Sequence, residues 1–130
     1  MQTTTSLKGK RVLVVDDSRS QMTGVIALYK ELGCEVVGQA ENGIEALKKI
    51  KELHPEIVSL DIIMPDMDGI ECYQNISKNY PEIKVIFLSC LVKNLEVREV
   101  LTKKIDPAIL LPKPCEKEVL LKALTNLWIN

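Results

Sequence analysis

Reactive side chains follow short apolar segments at four places along this chain. They are Asp16 and Asp17 after the first segment, Asp61 after a central one, then Ser89 and Lys113. Carboxylates that cluster repel one another and lose hydration unless a cation joins them. Oxygen donors without histidine or cysteine favour a hard divalent ion, Mg²⁺ first and Mn²⁺ second. One such carboxylate could attack a phosphoryl group and form an aspartyl phosphate, while a hydroxyl and an ammonium contact the phosphoryl oxygens.

The apolar segments are short and rich in β-branched residues, which indicates strands of a sheet that is covered on both faces. Stretches with helical spacing separate them. Five strands that alternate with five helices predict an α/β fold with a doubly wound parallel sheet. Pro112 places the last strand at an edge, because proline cannot donate to a central ladder. The predicted strands are RVLVV, EVVGQA, EIVSL, KVIFL and AILL.

Ligands of such sheets bind beyond the carboxyl ends of the strands. The sequence therefore predicts that the reactive side chains meet at one edge, with Asp61 as nucleophile because it follows the central apolar strand. Each feature also has an ordinary structural explanation. The Asp16-Asp17 pair could form a turn and a helix cap. Ser89 could cap the fourth helix, and Lys113 could be a solvated loop lysine.

Length and composition exclude several classes of protein. With 130 residues the chain suits one domain of common size rather than a large multi-domain enzyme. The formal net charge of −1 gives no general attraction to nucleic acid or anionic lipid. No apolar run approaches the roughly 20 residues that span a bilayer, and the first residues lack the apolar core of a signal peptide. We therefore expect a cytoplasmic protein without nucleic-acid or membrane partners.

Four cysteines are dispersed along the chain and form no C-x-x-C pair, which excludes a local zinc knuckle or thioredoxin-like motif. Small apolar thiols in a reducing compartment are the default interpretation. Cys90 and Cys115 follow Ser89 and the Lys113-Pro114 pair, so a redox function is the alternative for these two.

Four blocks of the sequence resemble, in order, the signature of the response-regulator receiver domain, the CheY-like module of two-component signalling. The blocks are VLVVDDS, LDIIMPDMDGIE, VIFLSC and LLPKP. The resemblance extends over residues 10–130 and leaves residues 1–9 as a short N-terminal extension. It implies a flavodoxin-like fold with strand order 2-1-3-4-5, which agrees with an edge position for the strand before Pro112.

The resemblance implies a metal site around the phosphoacceptor. Asp61 matches the phosphoacceptor and is also a metal ligand. Asp17 matches a direct Mg²⁺ ligand, Asp16 matches one that acts largely through water, and Ile63 would offer its backbone carbonyl. Met64-Pro65 and Gly69 would shape the loop that follows.

The resemblance also assigns the hydroxyl and the ammonium. Ser89 matches the switch hydroxyl that moves to the phosphoryl group. Lys113 matches the lysine that binds the phosphoryl oxygens, and its peptide bond to Pro114 is expected to be cis. The family commonly has an aromatic residue three positions before this lysine, and here that position is Leu110. Leucine lacks the ring whose inward swing accompanies activation.

Together these matches predict a stand-alone phosphoacceptor response regulator. It would receive its phosphoryl group from a histidine kinase or a histidine phosphotransfer protein and switch its binding to an unknown output protein. The expected surface for that partner consists of the fourth helix, the fifth strand and the fifth helix. We expect a monomer or weak dimer that turns over no outside substrate.

Two alternatives stay open, a pseudo-receiver that takes no phosphate and an aspartate-nucleophile phosphatase. Such phosphatases usually place a second carboxylate two positions after the nucleophile, where this chain has Ile63. Ile63 and Leu91 also flank the expected acceptor site. Because aliphatic side chains there would shield an aspartyl phosphate from water, they predict slow self-dephosphorylation.

Overall fold

The computed structural model describes residues 7–129, in which strands and helices alternate. Residues 1–6 of the expected extension lie outside the described residues, and the domain limits at residues 10 and 130 stay a prediction. The strands are β1 (Arg11–Val15), β2 (Glu35–Ala40), β3 (Ile57–Leu60), β4 (Lys84–Ser89) and β5 (Leu110–Pro112). The helices are α1 (Arg19–Glu31), α2 (Gly43–Leu53), α3 (Gly69–Asn79), α4 (Leu95–Leu101) and α5 (Lys117–Ile129).

The strands form one parallel sheet in the order β2-β1-β3-β4-β5. This order confirms the predicted flavodoxin-like α/β fold. β5 lies at one edge, as Pro112 predicts, and β2 lies at the other. None of the helices in the described part of the chain is long and apolar enough to cross a membrane.

The central strands are buried along almost their whole length, which explains their unbroken apolar sequences. All four residues of β3 and the last four of β1 are buried. Beside them, the rings of Tyr73 and Phe87 meet edge to face with centroids 5.3 Å apart. At the amino ends of the strands, the ammonium groups of Lys10 and Lys84 lie 4.9 and 5.8 Å from the ring of Trp128. These cation–π contacts hold the end of α5 against β1 and β4.

Four helices begin with a side-chain cap that satisfies an amide of the first turn. The capping oxygens belong to Ser18, Asn42, Asp68 and Asn94 and accept from residues three positions later. Three of these caps closely follow the carboxyl end of a strand. The first turns of the helices therefore lie at the edge where ligands of such sheets bind.

The chain between β4 and β5 differs from the sequence prediction. A 3-10 turn, Cys90–Lys93, precedes the short helix α4, and a second one, Pro107–Ile109, includes the first two residues of the predicted strand AILL. The second turn forms because the Asp106 carboxylate accepts from the Ala108 amide at 2.9 Å, and the proline favours a turn backbone. β5 therefore starts two residues later than predicted.

The thiols fall into two groups. Cys34 and Cys72 are buried, whereas Cys90 is exposed and Cys115 is half-buried. Burial raises the pKa of the Cys34 thiol to about 11 and that of Cys72 to about 12. The first pair therefore fits the default interpretation of small core thiols.

We expect the thiols to react with iodoacetamide at very different rates at pH 8. Cys90 should be alkylated first, since it is exposed and the thiolate is the reactive form. Cys34 and Cys72 should react at least roughly 100-fold more slowly, because each pKa unit lowers the thiolate fraction about tenfold. Peptide mass spectrometry over time measures these rates, and Cys90→Ser should remove the fast phase. Equal rates at Cys34 and Cys90 would contradict the prediction.

Candidate functional site

Three carboxylates lie together at the carboxyl ends of β1 and β3. Asp16 and Asp17 follow β1, and Asp61 follows β3, whose Leu60 pairs with Val15 across the ladder. Their carboxylate oxygens lie within 4.8 Å of one another. Asp16 is 2 % exposed, Asp61 is partly buried and Asp17 is exposed. The structure thus brings together the acidic residues that the sequence predicted to meet.

The ammonium of Lys113 lies between two of these carboxylates. It donates to Asp16 Oδ2 at 2.6 Å and to Asp61 Oδ2 at 3.2 Å. Only 6 % of the lysine is exposed, and its peptide bond to Pro114 is cis, as expected. Lys113 is therefore part of the acidic cluster and not a solvated loop residue.

The second oxygens of the Asp16 and Asp61 carboxylates are also engaged. Asp16 Oδ1 accepts from the amide of Ser18 at 2.9 Å, and Asp61 Oδ1 accepts from the amide of Ile62 at 2.7 Å. Ser18 in turn caps α1. These bonds fix the orientation of both carboxylates before any ligand arrives.

Burial and neighbouring charges act against each other at Asp61 and Lys113. Burial raises the pKa of Asp61 above its ordinary value, although the Lys113 ammonium and the Ile62 amide lower it. At Lys113, burial lowers the pKa, but hydrogen bonds and charges from Asp16 and Asp61 outweigh this effect and raise it. The lysine is therefore charged at neutral pH. At Asp61, the ammonium and the amide do not fully offset the cost of burying the ionised carboxylate.

The acidic cluster suits a hard divalent cation. Three carboxylates face one ammonium, so negative charge is left over when all are ionised. Its donors are oxygen atoms, and Mg²⁺ binds few protein oxygens and keeps several waters. Asp16, Asp17 and Asp61 would hold such an ion. The backbone carbonyl of Ile63 stays a predicted further ligand.

Ser89 lies at the same edge as the last residue of β4. It pairs with Pro112, directly before Lys113, in the β4–β5 ladder. Only 2 % of Ser89 is exposed, and its Oγ accepts from the amide of Leu91 at 3.2 Å. The hydroxyl therefore caps the 3-10 turn before α4 and lies on the strand next to Asp61.

The loop after Asp61 packs its backbone directly against the acceptor residue. The Gly69 amide donates to the Ile62 carbonyl at 2.7 Å, and a Cβ on Gly69 would lie 2.1 Å from the Asp61 carbonyl oxygen. Asp68 caps α3 by accepting from the Glu71 amide at 2.9 Å. Sequence reasoning assigned Gly69 to a turn and missed this close approach. A glycine at the first position of a helix was the available signal.

A contact between α4 and β5 was also missed. The guanidinium of Arg98 donates to the carbonyl of Leu110 at 3.4 Å. Leu110 itself is 1 % exposed. Nothing in the local sequence pattern joins these positions, because the contact depends on how α4 lies against the sheet.

A sequence model of the response regulator receiver domain matches residues 12–125 of this chain. The chain belongs to this family. It is therefore a CheY-like receiver domain of two-component signalling, with the fold and the clustered acids that the sequence blocks predicted.

Relatives of this receiver domain match most of its length. Chemotaxis protein CheY of Listeria monocytogenes is 39% identical over 114 residues, which are 88% of this chain and 94% of that protein. CheY of Thermotoga maritima is 37% identical over 118 residues, which are 91% and 97% of the two chains. A chain in the crystal structure of the CheX-CheY-BeF3-Mg complex from Borrelia burgdorferi aligns with a TM-score of 0.78 and 31% identity, and the match covers 92% and 90% of the two chains.

We expect Gly69→Ala to destabilise the receiver domain by about 2 kcal/mol or more, because its Cβ would overlap the Asp61 carbonyl. Gly24→Ala in α1 is the matched control, since a Cβ there meets nothing within 4 Å. It should stabilise by up to about 1 kcal/mol through helix propensity. Urea unfolding measures both changes. Equal stability of Gly69→Ala and the parent protein would contradict the close approach.

Proposed function

We propose that this receiver domain accepts a phosphoryl group on Asp61 from a histidine kinase or a histidine phosphotransfer protein. The observation that carries the proposal is the convergence of Asp61 with Asp16, Asp17 and the Lys113 ammonium within hydrogen-bond and metal-ligand range. The Borrelia relative supports it, because that CheY was crystallised with BeF3 and Mg.

The chain's own groups suit each part of the transfer. An Asp61 carboxylate oxygen attacks phosphorus, the new O–P bond forms as the P–N bond to the donor histidine breaks, and the electron pair returns to the imidazole nitrogen. When bound, Mg²⁺ would neutralise charge on the phosphoryl oxygens. The Lys113 ammonium, which contacts Asp61 Oδ2 at 3.2 Å, can turn to a phosphoryl oxygen from another side. Asp16 keeps that ammonium in place.

Ser89 would report the presence of the phosphoryl group. Its Oγ is engaged with the Leu91 amide before phosphorylation, at the junction with the turn that precedes α4. A phosphoryl group on Asp61 offers oxygens that can accept from the hydroxyl. The gain of that bond would favour a second conformer with altered affinity for an output protein.

We expect the domain to turn over no outside substrate. Ile63 stands two positions after Asp61, where a phosphatase needs a general acid, and its side chain is 63 % exposed and aliphatic. A pseudo-receiver is disfavoured because the acids and the lysine form a complete charged cluster.

We also propose a stand-alone, cytoplasmic protein that is a monomer or weak dimer, without nucleic-acid or membrane partners. Two CheY relatives support the stand-alone part, because the matches cover 94% and 97% of the lengths of those proteins. The cytoplasmic part is supported by the four free cysteines, which suit a reducing compartment.

Incubation with acetyl phosphate, with and without Mg²⁺, tests the proposal. We expect intact-mass spectrometry to show one added phosphoryl group only when Mg²⁺ is present. Asp61→Asn should remove it, because an amide is a poor nucleophile. Asp68→Asn is the matched control, since asparagine still caps α3 and phosphorylation should persist. Phosphorylation of Asp61→Asn at the parental rate would overturn the proposal.

We expect the aspartyl phosphate to be long-lived, since the flanking Ile63 and Leu91 side chains offer no hydrogen bond to an attacking water. Ile63→Asn and Leu91→Glu should each shorten the phosphoryl half-life several-fold. Ile44→Asn is the control, because Ile44 is a similarly exposed aliphatic residue on α2, at 50 %. Decay of the phosphorylated mass after removal of acetyl phosphate gives the half-lives. Unchanged or longer half-lives in both variants would contradict this prediction.

A further inference from the structure

A continuous series of hydrogen bonds leads from Ser89 to β5 through α4. Ser89 Oγ accepts from the Leu91 amide at 3.2 Å, and the Leu91 carbonyl accepts from the Asn94 amide at 3.1 Å. The Asn94 carbonyl then accepts from the Arg98 amide at 2.9 Å. The guanidinium of Arg98 completes the series by donating to the Leu110 carbonyl at 3.4 Å. The series joins the hydroxyl at the site to the edge strand of the sheet.

The final contact is the one that α4 can lose most easily. It is the longest bond of the series, and Arg98 is only half-buried. By contrast, Leu110 is 1 % exposed and packs in the core, so an outward swing of its side chain would leave a cavity. Movement between α4 and β5 is therefore cheaper at the Arg98 guanidinium than at the Leu110 side chain.

Helix α4 is short and exposes apolar side chains to solvent. It has seven residues, and its Leu95 and Val100 are 79 % and 60 % exposed. Its acidic residues, Glu96 and Glu99, are exposed as well. A shift of so short a helix changes the surface that these apolar side chains present. A bond that restrains the helix therefore also restrains that surface.

We propose that Arg98 is a latch, which holds α4 against the Leu110 carbonyl while Ser89 Oγ is bonded to Leu91 and releases it when Ser89 turns to a phosphoryl group. The trigger rests on the proposed phosphorylation of Asp61. The latch itself rests on the bonds in the unphosphorylated protein. It couples the site to α4 without an aromatic side chain at position 110.

Hydrogen–deuterium exchange of the unphosphorylated protein tests the latch directly. Arg98→Met keeps the apolar stem and a similar helix propensity but removes the donor. It should speed exchange across residues 95–101 roughly three- to tenfold, the effect of losing one hydrogen bond. Arg98→Lys keeps the charge and a donor and should show a smaller change. Exchange in Arg98→Met that equals the parent protein would overturn the latch.

Binding of beryllofluoride with Mg²⁺ tests the coupling. Because the latch opposes the active conformer, Arg98→Met should bind this phosphoryl mimic more tightly. The gain in affinity should be similar to the factor by which the substitution speeds amide exchange in α4. In a Ser89→Ala background that gain should shrink, since the series of bonds is already broken. Gains that are equal in both backgrounds would overturn the coupling.

The outcomes for the parent protein separate the two proposals. If the parent protein fails to bind beryllofluoride, the proposed phosphorylation is overturned and the latch has no trigger. If the parent protein binds and Arg98→Met binds with the same Kd, the coupling of the latch to the site is overturned and the proposed phosphorylation stands.

Discussion

The buried ammonium of Lys113 is the interaction on which the site depends. Asp16 is 2 % exposed, and an ionised carboxylate at that depth is costly unless a cation contacts it. Lys113 follows β5, which β4 and β3 separate from β1, so only a long side chain at this edge can reach Asp16. The strand order and the length of lysine therefore satisfy one electrostatic requirement together. The same ammonium also contacts the Asp61 carboxylate, at 3.2 Å.

The surroundings of the cluster add further positive potential. Helices α1 and α3 begin directly after the loops that carry the acids, and Ser18 and Asp68 cap their first turns. Helix N-termini carry partial positive charge from unpaired amides. An anion that arrives at Asp61 would thus meet an ammonium, amide dipoles and a cation-binding cluster. The amides are fixed by backbone structure before the ligand arrives, and such a preorganised arrangement stabilises developing charge effectively.

The sequence predicts the parts of the fold and of the site that depend on local pattern. Apolar strands followed by reactive residues predicted the convergence of Asp16, Asp61 and Lys113, because parallel strands end at one edge. The predicted start of β5 was two residues too early, because the Asp106 carboxylate draws Ala108 and Ile109 into a 3-10 turn. The Arg98 contact could not be predicted, because no periodicity relates an α4 side chain to a β5 carbonyl.

The close approach of Gly69 to the Asp61 carbonyl makes the two sides of the site differ in how tightly they are packed. On the β3–α3 side, the Gly69 amide bonds to the Ile62 carbonyl at 2.7 Å, and there is no room for even a Cβ between Gly69 and the Asp61 carbonyl. On the β4–α4 side, a short helix is tethered by hydrogen bonds of 2.9 to 3.4 Å. Deformation energy is lower where hydrogen bonds stretch than where atoms must overlap. A displacement of the chain around Asp61 therefore costs more free energy on the α3 side, where backbone atoms are in contact, than on the α4 side.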